Sequence, residues 1–314
     1  MIDLNNYEKL ELVGSGSFGE VYKIKETHSQ NIYVGKILKS SFSSDPGKKK
    51  SFFTEINTLS KVDHPSIVKF IGVSANNFEN EKRPVIIMEY APNGTLQNLI
   101  DLSQKARSPE EWNDTYKLIT LYGIASGMSF LHSHGILHRD LKPDNILINQ
   151  YFFPLISDFG LAKDQNAIGE SANGIKGTSL YLAPEIIENE EFSEKGDVYA
   201  FAIITYQLFF NETPYDCNNA YLIYKKVTNG ERPIIKGSLY GTIAEMINCC
   251  WDQNPDNRPS FDEIVQVLKD NSGFITELID QDIYYDYIDY VENYQSNFNQ
   301  SIKIKSLNKQ QISE

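Results

Sequence analysis

The string His-Arg-Asp-Leu-Lys-Pro-Asp-Asn at residues 138–145 constrains this 314-residue chain more than any other feature, because Asp-Phe-Gly follows it at 158–160. Asp158 stands 18 residues after Asp140. One carboxylate could accept a proton from a hydroxyl group. Asn145 and Asp158 could supply oxygen ligands to Mg²⁺, which binds few protein oxygens and completes its shell with water and phosphate. Each tripeptide is common alone, so the information lies in their order.

A second motif, Gly14-Ser-Gly16-Ser-Phe-Gly19, stands between two strand-like runs. Taken alone, a G-x-G-x-x-G pattern is weak evidence, and a dinucleotide fingerprint would need a helix directly after it. Here Val21 to Ile24 continues as a strand. A glycine-rich turn between antiparallel strands can lay its backbone over phosphates, because no side chain intervenes.

Lys36 and Glu55 form a candidate ion pair. Lys36 ends the run Asn-Ile-Tyr-Val-Gly-Lys, and Glu55 lies in the following segment, 51–62, where Phe52 and Leu59 have helical spacing. An exposed pair of this kind would contribute little to stability. Inside a cleft, the carboxylate would hold the ammonium against a ligand's phosphates.

Composition excludes several classes of protein. The 29 basic and 42 acidic residues give a net charge of −13, which argues against a nucleic-acid partner. With 41% hydrophobic and 12% aromatic residues, the chain is not mostly disordered. Cys249 and Cys250 are adjacent and there is no C-x-x-C motif, so we expect free thiols in a reducing compartment. The N-terminus does not resemble a signal peptide and the longest apolar stretch, 200–210, is too short for a bilayer, which predicts a cytoplasmic location without membrane insertion.

The patterning changes near residue 91. Before it, strand-like runs surround a single helical segment; after it, apolar residues recur at helical spacing in 112–133, 195–211 and 241–251. The sequence therefore predicts a small strand-rich part followed by a larger helical part.

The ordered motifs resemble the signature set of the eukaryotic protein kinase family over residues 7–270. This resemblance implies an α+β, two-lobed protein kinase fold. Its small β-rich N-lobe with one main helix would cover 7–88, the hinge 89–94, and the larger helical C-lobe 95–270.

The resemblance also implies roles for individual residues. Asp140 would position and deprotonate the substrate hydroxyl, Lys142 would neutralise the γ-phosphate, and Asn145 and Asp158 would hold Mg²⁺. The adenine would lie between valines above and a leucine below, next to the gatekeeper Met88. The residues expected at the ATP site are Val13, Gly14, Gly16, Gly19, Val21, Val34, Lys36, Glu55, Met88, Glu89, Ala91 and Leu147.

Residues 158–185 resemble an activation segment ending in Ala-Pro-Glu. By the same resemblance, Glu185 and Arg258 form a buried ion pair and Asp197 anchors the catalytic loop. Arg139 suggests control by a phosphate on this segment, since arginine binds phosphate bidentately. The candidate acceptors are Ser171, Thr178 and Ser179, of which Thr178 is favoured as a contact of the substrate loop.

Lys142-Pro-Asp-Asn resembles the serine/threonine-specific pattern, while Gly94-Thr-Leu and the segment 250–260 resemble the tyrosine-kinase-like group. We expect a serine/threonine kinase acting on protein substrates in intracellular signalling, with dual specificity left open. Val34 and Gly35 depart from the usual Val-Ala-Ile-Lys pattern, which keeps a scaffold or pseudokinase as an alternative. A small-molecule or lipid kinase is disfavoured by the complete activation segment.

Residues 271–314 form a tyrosine-rich acidic C-terminal tail that we expect to be partly helical. Between 277 and 298 the pattern places five residues on one helical face. This segment is either a helix docked on its own domain or a partner-binding segment. The five residues are Ile283, Tyr287, Val291, Tyr294 and Phe298.

Overall fold

The structure is a computed structural model that describes residues 1–15, 19–38, 46–164, 179–216, 219–236 and 240–294. Its N-terminal part is one antiparallel sheet of five strands in the order β1-β2-β3-β5-β4, with a single helix, α1, against it. The bounds are β1 Tyr7–Ser15, β2 Gly19–Glu26, β3 Ile32–Leu38, α1 Pro46–Leu59, β4 Phe70–Ser74 and β5 Val85–Glu89.

The pleat of β3 decides which residues face the second lobe. Successive side chains of a strand point to opposite faces. Val34 faces the main core, whereas Ile37 packs on the other side of the sheet in a separate apolar cluster with Ile24 and Val85. Lys36 shares the face of Val34, and it pairs in register with Val21 of β2 and with β5.

The C-terminal part is helical, with two small antiparallel pairs of strands near the first lobe. Its central helices α3 and α5 are buried on nearly every side, as expected of helices that are apolar all round. The paired strands are β6 Ile136–Leu137 with β9 Lys163–Asp164, and β7 Ile146–Ile148 with β8 Pro154–Ile156. The helices are α2 Leu96–Gln104, α3 Asp114–Ser133, α4 Pro184–Asn189, α5 Glu194–Phe210, α6 Ala220–Thr228, α7 Gly241–Cys250 and α8 Phe261–Asp270. This architecture confirms the predicted two-lobed α+β fold.

A last helix, α9, covers residues 281–294 and packs on the helical lobe of its own chain. The structure places Tyr287, Val291 and Tyr294 of the predicted face against the lobe, but the prediction was wrong at Ile283, which is 39% exposed, whereas Tyr284 is fully buried. The residues that pack inward are Tyr284, Tyr287, Ile288 and Val291, which recur at three and four residues. Ile283 precedes this stripe by one residue and therefore points about 100° away from Tyr284. Phe298 lies outside the described residues.

No described helix combines the length and apolar character needed to cross a bilayer. The two described cysteines are free thiols, Cys249 exposed and Cys250 buried.

Candidate active site

A cleft of about 580 Å³ lies between the sheet and the helical lobe. Side chains from both lobes line it, together with the 89–94 connection between them. Of the residues predicted to bind ATP, catalyse transfer or hold metal, the cleft brings together Val13, Gly14, Gly19, Val21, Val34, Lys36, Glu55, Met88, Glu89, Ala91, Asp140, Lys142, Asn145, Leu147 and Asp158. Gly16 lies outside the described residues.

The Lys36 ammonium is held by two carboxylates. Its Nζ lies 2.7 and 2.8 Å from the two carboxylate oxygens of Glu55 and 3.4 Å from Oδ1 of Asp158. Glu55 reaches Lys36 because Phe52 and Leu59, on the same helix, are buried and fix the rotation of α1. Lys36, Glu55 and Asp158 thus connect three separate elements at one point of the cleft.

Electrostatics keep Lys36 and Asp158 charged. Burial alone would lower the pKa of Lys36, but the negative charges of Glu55 and Asp158 outweigh it and hold the pKa above its usual value. Burial would likewise raise the pKa of Asp158, yet the Lys36 ammonium dominates and lowers it. Lys36 is therefore cationic and Asp158 anionic at neutral pH, ready for phosphate and for a divalent cation respectively.

Two neighbours in the loop of residues 138–145 order Asp140. Nζ of Lys142 donates to Oδ2 of Asp140 at 2.7 Å. The amide nitrogen of Asn145 donates to the backbone oxygen of Asp140 at 2.8 Å and to its Oδ2 at 3.1 Å. Since Asn145 donates through nitrogen on this side, its amide oxygen is the atom available to a cation.

Asp158 sits in a strained backbone conformation. Its φ is +61° and its ψ is 72°, in the left-handed region that costs a non-glycine residue about 1 kcal/mol or more. Neighbouring bonds enforce it: Ser157 donates to the backbone oxygen of Asn145 through its amide at 2.8 Å and through Oγ at 3.0 Å. The conformation turns the carboxylate of Asp158 toward Lys36.

Asp197, in the first turn of α5, holds the loop of residues 138–145 in place through hydrogen bonds. Its carboxylate is buried and accepts the backbone N–H groups of His138 and Arg139 at 3.0 and 2.9 Å. His132 adds a third contact, through Nε2 at 3.0 Å. Arg139 has a φ of +68°, so these bonds fix a conformation that the loop would not adopt freely.

Arg258 and Glu185 form a buried ion pair within the helical lobe. Arg258 is 1% exposed, and its guanidinium lies 2.7 and 2.9 Å from the two oxygens of Glu185. The bidentate geometry offsets much of the desolvation cost of the two charges. The pair ties the end of the activation segment to the segment before α8.

The unusual Gly35 does not touch the cleft. A Cβ built there would meet Val85 at 3.2 Å, Ile24 at 3.6 Å and Phe78 at 3.7 Å, all on the outer face of the sheet. Val34 does line the cleft, next to Met88. Of Val34 and Gly35, only Val34 can contact a ligand bound in the cleft.

The predicted regulatory residues are only partly described. Ser171 and Thr178 lie outside the described residues, and Ser179 begins a short 3₁₀ turn, Ser179–Tyr181. The guanidinium carbon of Arg139 lies 3.8 Å from the centre of the Phe192 ring. Phe192 was not predicted, and no sequence motif marks it.

Sequence reasoning also missed part of the cleft lining. Thr95 and Asn98 form a reciprocal capping box at the start of α2, and the pattern Thr-x-x-Asn could have indicated this helix start at the cleft. The lining residues outside the predicted hinge and without a predicted role are Thr95, Asn98, Asp144 and Ser157.

A magnesium ion fits the donor set. Among the described residues no group of three or more His, Cys, Asp or Glu side chains could hold a metal by themselves. Asn145 and Asp158 offer one amide oxygen and one carboxylate, which suits an ion that binds few protein oxygens and takes the rest from phosphate and water.

Comparison with known proteins agrees with this geometry. The protein kinase domain family matches residues 7–268. The chain is 32% identical over 269 residues to "Dual specificity protein kinase shkC" of Dictyostelium discoideum, covering 84% of this chain and 50% of that protein. It is 33% identical over 274 residues to human "Mitogen-activated protein kinase kinase kinase 7" (85% and 42%) and 30% identical over 270 residues to "Serine/threonine-protein kinase CTR1" of Arabidopsis thaliana (85% and 31%).

The chain spans half or less of the length of these curated relatives. The family match itself covers most of this chain, from the first strand of the sheet to α8. The prediction of a eukaryotic protein kinase of the tyrosine-kinase-like group is confirmed, and the chain belongs to that family.

Proposed function

We propose that this chain is a protein serine/threonine kinase that transfers the γ-phosphoryl group of ATP to hydroxyl groups of protein substrates. One observation carries the proposal: Lys36, Asp140, Asn145 and Asp158, distant in sequence, line a single cleft with their charged partners in place. Such an arrangement suits a reaction that depends on positioning and on charge stabilisation.

Each of these residues has a separate role in the transfer. The carboxylate of Asp140 accepts the proton of the substrate hydroxyl, and Nζ of Lys142, 2.7 Å from its Oδ2, stabilises the charge that develops nearby. Lys36 orients the nucleotide phosphates while Glu55 holds its ammonium in place. Asn145 and Asp158 would hold Mg²⁺, which supplies neutralising charge to the phosphates when bound.

The adenine subsite is proposed between Val21 and Val34 on one side and Leu147 on the other, all of which line the cleft. The backbone of Glu89 to Ala91 would hydrogen-bond the base. The Glu89 carboxylate is already engaged elsewhere, accepting the backbone N–H of Lys69 at 2.6 Å.

Serine and threonine are the proposed acceptors, because Lys142 stands two residues after Asp140 as in serine/threonine-specific kinases. Of the relatives named above, one is called a serine/threonine-protein kinase, one a mitogen-activated protein kinase kinase kinase and one a dual specificity protein kinase. Tyrosine transfer is therefore a second outcome of the test below.

We place this activity in cytoplasmic signalling, with control through the activation segment. Arg139 would bind a phosphate on that segment, with Ser171, Thr178 or Ser179 as the acceptor. Since Arg139 stacks on Phe192, phosphate binding would compete with this contact.

The experiment is transfer from radiolabelled ATP with Mg²⁺ to a degenerate peptide library, with separate serine, threonine and tyrosine acceptors. We expect transfer to serine and threonine by the wild type and its loss in Asp140→Asn. Asp282→Asn, the same chemical change at an exposed position of α9, is the matched control. Absence of transfer by the wild type, or equal transfer by Asp140→Asn, would refute the proposal and favour a scaffold.

A further inference from the structure

The connection between α1 and β4, residues 60–69, links two parts of the active site. On one side it continues from α1, which carries Glu55. On the other it pairs with β8: the amide of Val68 donates to the oxygen of Ile156 at 2.9 Å, and the amide of Ile156 donates to the oxygen of Ser66 at 2.8 Å. Asp158 follows Ile156 by two residues. A shift of this connection would therefore move Glu55 and Asp158 relative to each other.

Two tyrosines of helix α9 make hydrogen bonds to this connection. The hydroxyl of Tyr287 lies 3.1 Å from Oγ of Ser66, and the hydroxyl of Tyr294 donates to the carboxylate of Asp63. Tyr287 is 2% exposed and its ring centre lies 4.6 Å from that of Phe153, directly before β8. Two tyrosines, about two helical turns apart, thus reach the same short segment.

Helix α3 has a space for Tyr287. Gly123 lies in the middle of α3, where glycine is unfavourable. A Cβ there would come within 2.5 Å of the Tyr287 hydroxyl oxygen and within 2.4 Å of Cγ of Pro154 in β8. The space that the glycine leaves is filled by these two residues, so α9 is packed into the helical lobe rather than laid over it.

The remaining contacts of α9 anchor it to the helical lobe. The hydroxyl of Tyr284 donates to the backbone oxygen of Leu268 in α8 at 3.0 Å. Nζ of Lys269 lies 2.6 Å from Oε1 of Glu292, an exposed pair. Before the helix, the amide of Asp280 donates to Oγ1 of Thr115 in α3 at 2.8 Å. The helix is therefore fixed on one lobe while Tyr287 and Tyr294 hold the connection that leads to the other.

We propose that Tyr287 and Tyr294 are positioning residues for phosphoryl transfer, which fix residues 63–66 on the helical lobe and thereby align Glu55 with Asp158. The proposal rests on the proposed kinase function. It differs from a purely structural role, in which α9 would add stability without affecting the geometry of the nucleotide site.

Tyr284 provides the matched control. Like Tyr287 it is a buried tyrosine of α9 whose hydroxyl makes a hydrogen bond, but its partner is Leu268 in α8. Tyr284→Phe and Tyr287→Phe each remove one buried hydroxyl from the same helix. A structural role predicts equal effects of the two changes, and a positioning role predicts different ones.

The full-length wild type, Tyr284→Phe and Tyr287→Phe are compared in three measurements. These are the melting temperature, the Kd for a non-hydrolysable ATP analogue with Mg²⁺ by calorimetry, and amide hydrogen exchange of residues 64–68. We expect both variants to melt at a similar, lower temperature. Only Tyr287→Phe should weaken analogue binding, by about three- to tenfold, and speed exchange at 64–68. Ser66→Ala, which removes the other partner of the bond, should reproduce Tyr287→Phe, and Tyr294→Phe should act in the same direction.

The inference would be overturned if Tyr284→Phe and Tyr287→Phe showed equal analogue binding and equal exchange. This holds whether both variants differ from the wild type or neither does. Failure of the wild type to transfer phosphate would instead refute the proposed function, because analogue binding and amide exchange do not require transfer.

Discussion

Alanine at position 123 would place a Cβ 2.4 Å from Cγ of Pro154 and 2.5 Å from the hydroxyl oxygen of Tyr287. Ordinary van der Waals contacts of a Cβ lie at 3.4–4 Å, so both neighbours would have to move. Pro154 belongs to β8 and its ring is stiff, and Tyr287 is buried against Phe153. The strain therefore cannot be relieved by a freely rotating side chain.

The magnitude follows from three opposing effects. Alanine gains about 1 kcal/mol over glycine in a helix interior. Overpacking a well-filled core costs about 1–3 kcal/mol. Loss of the hydrogen bond between Tyr287 and Ser66 costs about 1 kcal/mol more. Gly123→Ala should therefore lower the free energy of unfolding by about 1–3 kcal/mol, or the Tm by several degrees.

Gly241→Ala is the control, because no atom lies within 4 Å of a Cβ at the first residue of α7. This substitution should raise the free energy of unfolding by about 0.4–1 kcal/mol. Urea unfolding of the wild type and both variants measures the difference. If Gly123→Ala stabilised the protein as Gly241→Ala does, Tyr287 and Pro154 would not occupy this space and the packing described for α9 would be refuted.

Three further predictions concern buried polar groups. Burial lowers the pKa of His64 from 6.5 to about 3, so the imidazole is neutral in the folded state and stability is lost as pH falls from about 6.5 toward 3. His64→Gln should make the free energy of unfolding less steep in pH across this window, by up to about 1.4 kcal/mol per pH unit in urea titrations; equal slopes would contradict the assignment. Arg258→Met leaves the Glu185 carboxylate buried without its partner and should cost about 3–5 kcal/mol in unfolding free energy, part of which Glu185→Gln should restore in the double variant; no restoration would show that the pair is not the cause. Asp197→Asn replaces an acceptor oxygen by a donor amide and loses at least one bond to the catalytic loop, so kcat in a peptide assay should fall about tenfold or more while the Kd for nucleotide changes less; an unchanged kcat would argue against the role of Asp197 in holding the loop.

A sequence prediction was reliable where a short local motif identifies the residue. It was less reliable where packing against distant residues decides the position. Asp140, Asn145 and Asp158 could be identified because they occur in short ordered strings, and all three line the cleft. Tyr287 and Val291 of the predicted face are buried, but Ile283 was misplaced because tyrosines occur at 284, 285, 287 and 290, so the apolar pattern also fits a face that begins at Tyr284. Packing against Tyr122 and Phe153 selects the face with Tyr284 and Tyr287.

The stacking of Arg139 on Phe192 shows a second kind of failure. The two residues are 53 positions apart, and neither the spacing nor the composition around Phe192 suggests a contact. Gly35 shows the reverse case. Together with Val34 it kept a pseudokinase as an alternative, but the alternation of β3 places this glycine on the outer face of the sheet.

The sequence by itself determined the order of the motifs, the division into a strand-rich and a helical part, and the chemical groups that the site requires. These are properties of residue type and short-range periodicity. Only the tertiary structure decided that Asp158 also contacts the predicted Lys36–Glu55 pair, that Gly123 makes room for Tyr287, and that the final helix reaches residues 63–66. Such contacts join elements far apart in the chain, and they depend on how whole surfaces fit together, which no local pattern encodes.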